Sequence, residues 1–109
     1  MKKPLFLFLS FLFLSCGVSD DRIDAYEDCL PAVEKAKTHE ELIEITYELS
    51  KQLCILENKN IPVSELKKRA TAGDEDAQER LDAIEEAKIK FLDAASKKET
   101  YFYMNKIQK

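Results

Sequence analysis

Cys16, Cys29, Cys54 and His39 are the side chains of this 109-residue chain best equipped for covalent or metal chemistry. A single histidine cannot complete a four-ligand zinc site with Cys29 and Cys54, so zinc is not expected. The patterns that organise nucleophilic or phosphate chemistry are missing from the sequence: no serine elbow, no glycine-rich phosphate loop and no His-Glu-x-x-His helix. His39 stands beside Glu40 and Glu41 and reads as an exposed imidazole in the first turn of a helix. The acidic neighbours Asp20-Asp21, Glu40-Glu41, Asp74-Glu75-Asp76 and Glu85-Glu86 would diverge on a helix and not converge on a substrate. Asp74-Glu75-Asp76 lacks the alternating ligands and glycine of a calcium loop and suits the positive end of a helix instead. The expectation is a non-enzymatic protein without catalytic site, metal or cofactor, and with no evident small-molecule substrate.

The elements that carry these residues differ along the chain. Residues 1–16 read Met1-Lys2-Lys3-Pro4, an apolar run from Leu5 to Leu14 broken only by Ser10, then Ser15-Cys16. A positive start, a short hydrophobic stretch and a small residue before the cut are the parts of a secretory signal. Ten apolar residues are too few to span a bilayer, which takes roughly 20. Phe13-Leu14-Ser15-Cys16 resembles the lipobox of bacterial lipoproteins, usually Leu-Ala/Ser-Gly/Ala-Cys, with Ser15 as the small residue. The resemblance implies cleavage before Cys16 and acylation of its sulfur and its new amine, giving three chains where one alone binds only marginally. It covers about twenty residues and implies a lipid-anchored cell-envelope protein. Gly17 is not the aspartate that retains enterobacterial lipoproteins at the inner membrane, so the outer membrane is expected. Ser19-Asp20-Asp21 is similar to the acidic surface-export signal of Bacteroidota lipoproteins; a solvated charge run at a domain edge is the alternative. The organisation expected is signal 1–15, lipidated cysteine and tether 16–21, and one domain 22–109.

Charged residues make up 35% of the chain while Gly and Pro together number five, a composition that favours helices. Removing Lys2 and Lys3 takes the net charge from −4 to −6. Such an acidic surface argues against a nucleic-acid partner, for which a basic face is the footprint. It offers no polybasic grip on lipid either, so attachment to the membrane falls to Cys16.

Apolar spacing predicts an all-α bundle of three or four helices. Ile23, Tyr26, Leu30, Val33 and Ala36 mark a first helix, which Pro31 must kink or split. Thr38-His39-Glu40-Glu41 matches a capping box ahead of a second helix carrying Leu42, Ile45, Leu49, Leu53 and Leu56 on one face. A third begins near Val63 with Leu66 and Ala70 inward, and Gly73-Asp74 reads as a stop followed by a cap. Ala77, Leu81, Ile84, Ala87, Phe91 and Ala95 form the last stripe. Tyr101-Phe102-Tyr103-Met104 is expected mainly to close the core, with a partner patch as the alternative.

With Cys16 lipidated, Cys29 and Cys54 remain as an even pair in an exported protein and are expected to form a disulfide, two buried thiols being the alternative. A turn at Thr38 would leave them offset by roughly 10 Å along the helix axis, more than the about 7 Å a bridge tolerates, unless the turn were longer or Pro31 bent the chain. The leading functional expectation is an envelope adaptor that binds another protein. A periplasmic inhibitor or immunity lipoprotein that neutralises a toxin or hydrolase is the rival.

Overall fold

The computed structural model describes residues 19–108. Four helices make up the described chain: α1 Asp21–Lys35, α2 His39–Lys59, α3 Val63–Thr71 and α4 Glu75–Gln108. The signal segment and Cys16 lie outside the described residues. Among the described residues there is no strand, and no helix is long and apolar enough to cross a membrane.

Local chemistry sets each helix boundary. The Asp20 carboxylate accepts the Arg22 N–H at 2.9 Å and so caps α1. Pro31 does not split this helix. Pro31 and Glu27, whose carbonyl loses its intrahelical partner, are both exposed, so water can take the freed acceptor. Thr38 caps α2 by accepting the Glu41 N–H at 3.1 Å. Glu41 reaches back one residue further than a standard capping box, to the N–H of Lys37 at 2.7 Å. At the end of α3, Gly73 adopts φ +103°. Its N–H bonds Ala70 O and the Asp74 N–H bonds Arg69 O, which together form a Schellman stop. Asp74 then accepts the Ala77 N–H at 3.1 Å and starts α4.

The expected stripes do face inward. Ala25, Val33, Leu42, Leu49 and Phe91 form one buried cluster where α1, α2 and α4 meet. Leu66, Ala77 and Ile84 form a second between α3 and the start of α4. Tyr26 packs against both and joins them. Helix α1 is central: it packs extensively on α2 and on α4, whereas α2 and α4 touch each other only sparsely. The result is a slab of 53 × 44 × 19 Å, in which α2 and α4 are antiparallel walls with a furrow between them.

Two expectations need correction. Asp20 belongs to the domain and not to the tether: it is 5% exposed and serves as the cap of α1. The reading of Ser19-Asp20-Asp21 as a solvated acidic run therefore fails at its central residue. The Cys29–Cys54 bridge is not formed either, and both are free thiols. Cys29 lies six residues before the end of α1 and Cys54 fifteen after the start of α2. The offset is roughly 10–14 Å along the hairpin, and a bridge needs Cα atoms within about 7 Å. Facing also differs, because Cys29 packs against the core while Cys54 is exposed. Burial, aided by the charge of Asp28, pushes the Cys29 thiol up, which lowers its thiolate fraction. Native protein should therefore be alkylated by iodoacetamide several-fold faster at Cys54 than at Cys29, and a reductant should leave its melting temperature unchanged. Peptide mass spectrometry showing the two residues linked would restore the bridge.

Candidate functional site

Two features stand out: a buried ionic clasp at one end of the slab and an apolar groove running towards the other. The clasp centres on Arg22, which is 2% exposed. Its Nε and Nη2 donate to the two oxygens of Asp20, both at 2.9 Å. Nη1 donates to Glu57 Oε1 at 2.6 Å and Nη2 to the Ile61 carbonyl at 2.8 Å. Arg80 reaches the same Asp20 carboxylate at 3.2 Å. The other Glu57 oxygen accepts the Val63 N–H at 2.7 Å and so caps α3, where Pro62 offers no side-chain cap. One guanidinium thus ties the start of α1 to the end of α2 and the loop into α3, with α4 joined through Asp20. Burial pushes the Asp20 carboxyl up, but the hydrogen bonds and charge of Arg22, with Arg80, outweigh it and hold the group below its usual value. Bonding to Asp20 outweighs burial for Arg22, whose pKa rises. Among the described residues no buried side-chain nitrogen or oxygen lacks a hydrogen-bond partner, so the buried part of the clasp is fully paired. It is a structural fastener.

The groove follows from the sparse meeting of α2 and α4. It has a volume of about 680 Å³, with Leu42, Phe91 and Ala95 at its base and Ile43, Tyr47 and Leu92 along its edges. Of ten lining residues only Glu99 is charged, in a chain where 35% of residues are. Depletion of charge with retention of aromatics is what distinguishes the centre of protein interfaces from ordinary surface. Ser96 and Glu99 also line a neighbouring hollow of about 530 Å³ with His39, Phe102 and Tyr103, so the two form one continuous face.

The C-terminal aromatics divide between the two roles expected for them. Phe102 packs against the core. Tyr101, Tyr103 and Met104 are about half or more exposed and do not close it. A helix directs successive residues 100° apart, so one side chain of the four could turn inward and the others could not. His39 is exposed at the mouth of the hollow. Among the described residues no three His, Cys, Asp or Glu side chains gather as metal ligands.

The sequence pointed to no groove and no clasp. The stripes identify what each helix buries but not which helices then stand apart. A buried arginine two residues from an aspartate has no periodic signature. Taken together, the fold and face define a small all-α bundle with an apolar furrow on one side. Comparison with known proteins finds no matching family model, no similar curated protein and no similar solved structure.

Proposed function

We propose that this chain is a lipid-anchored, non-catalytic protein-binding module of the bacterial cell envelope, attached to the outer membrane through Cys16. The observation that carries the binding role is the charge-poor groove between α2 and α4, which has the composition of an interface centre. The anchoring rests on the signal and the lipobox-like Phe13-Leu14-Ser15-Cys16. Because Asp20 is fastened into the bundle, the tether reduces to Gly17-Val18-Ser19. The clasp end would therefore stand within about 14 Å of the acylated cysteine. Helix α2, 21 residues long, then carries His39 and the hollow beside Tyr103 roughly 30 Å further out, where the groove is open to a partner.

Cys16→Ser tests the anchor. Wild-type protein should incorporate radiolabelled palmitate and sediment with membranes, whereas the variant should lose the label and appear in the soluble fraction or retain its signal. Equal labelling of the two proteins would refute the assignment.

A further inference from the structure

We infer that the occupant of the α2–α4 groove is a second copy of this chain, docked through the same face about a two-fold axis. The inference rests on the groove being a protein-binding face and names its partner; it does not depend on lipidation at Cys16.

Area is the first argument. Ile43, Tyr47, Leu92 and Tyr103 are each more than half exposed. Ile43, Tyr47 and Leu92 line the groove and Tyr103 the adjoining hollow. At roughly 100 Å² open apiece, set against 150–250 Å² for a whole aromatic side chain, they expose about 400 Å². That is within the range of the largest apolar patch of a typical monomer. The Thr, Ser and Glu side chains completing the lining carry the face towards the ~800 Å² that each partner contributes to a standard interface.

Self-complementarity is the second. Both walls carry the same chemistry, an aliphatic and a tyrosine at helical spacing: Ile43 with Tyr47 on α2, Leu92 with Tyr103 on α4. A two-fold axis sets the α2 wall of one copy against the α4 wall of the other, twice over, which is the isologous arrangement that closes at two subunits. The Ile43–Tyr47 ridge of each copy can enter the furrow of its mate. Glu99 is the one charge lining the groove and Glu40 joins it in the hollow; both are exposed at one end of the face, where they can stay at a solvated rim. The slab is only 19 Å thick, about two helix diameters. A second copy would cover the exposed Ile43, Tyr47 and Leu92, which no other helix of the same chain does.

The test is photocrosslinking of the full chain in cells, with benzoylphenylalanine in place of Tyr47, together with sedimentation of the purified protein. The inference predicts a crosslinked species of twice the monomer mass and a concentration-dependent dimer. Leu92→Asp should weaken that dimer at least tenfold while leaving the circular-dichroism melt of the dilute, monomeric protein in place, because Leu92 is 51% exposed. A crosslink to a protein of different mass, with monomeric sedimentation, would overturn the second copy and leave the binding-module reading standing. A monomer that crosslinks to nothing would overturn both.

Discussion

Replacing Arg22 with methionine should destabilise the domain by about 3–5 kcal/mol, the cost of removing one partner from a buried ion pair. The loss comes less from the attraction given up than from what remains. Asp20, 5% exposed, would keep its charge with only the 3.2 Å contact from Arg80. The Ile61 carbonyl and one Glu57 oxygen would lose their donor as well. Whole stabilities of small domains are 5–15 kcal/mol, so the variant should be partly unfolded near body temperature. Its pH dependence separates this account from simple loss of packing. In the wild type the Asp20 pKa is lowered. Its contribution is therefore complete above the ordinary carboxylate range and is lost as pH falls through the lowered value. In Arg22→Met the main lowering influence is gone and burial pushes Asp20 the other way. Protonation then relieves the variant, and the gap between the two proteins should narrow as pH falls. Urea titrations at pH 7 and in the acid range would measure both quantities. A gap below 1 kcal/mol at neutral pH, or one that widens in acid, would contradict the role given to the clasp.

A loss of similar size is expected at the opposite kind of site. Phe91 is 3% exposed and lies where α1, α2 and α4 converge, with its ring 6.2 Å from that of Tyr26. Phe91→Ala should cost about 3–5 kcal/mol, combining lost transfer energy with the cavity left behind. The cost should fall towards the upper end because three helices share the void, and α1 cannot close on one neighbour without leaving the other. The adjacent Leu92, half exposed, provides the control: Leu92→Ala should change stability by no more than about 0.5 kcal/mol. Thermal melts of the two variants side by side decide the matter. Comparable melting temperatures would mean that the cluster at Phe91 is not the centre of the fold.

The two variants destabilise by different physics, which shows how this small domain is held together. Phe91 joins three helices by apolar burial, which is non-directional and leaves their angular setting loose. Arg22 adds direction: five donors in a fixed fork can be satisfied only when α1, the end of α2 and the α3 loop are in register. Exposed pairs such as Lys97–Asp93 and Arg69–Glu65 contribute a few tenths of a kcal/mol at most and specify little.

The same division explains what could be read before the fold was known. Helix positions, the Thr38 and Asp74 caps, the Gly73 stop and the inward stripes were legible because each depends on residues within one or two turns of one another. Backbone hydrogen bonding and side-chain periodicity are local, and the sequence carries them directly. Between a kink and a split at Pro31 the sequence leaves the choice open, since whether a proline splits a helix depends on whether water or protein faces the freed carbonyl. Tertiary structure alone decided the rest. Asp20 looked like part of a solvated run until Arg22, Glu57, Ile61 and Arg80, up to 60 residues away in sequence, surrounded it. Cysteine number favours a Cys29–Cys54 pairing, yet a bridge depends on helix offset and facing, which no count supplies. The groove exists because α1 lies between α2 and α4 and holds them apart. That is a property of how three amphipathic faces share one core, and it leaves Ile43, Tyr47 and Leu92 exposed though nothing in their own segments requires it.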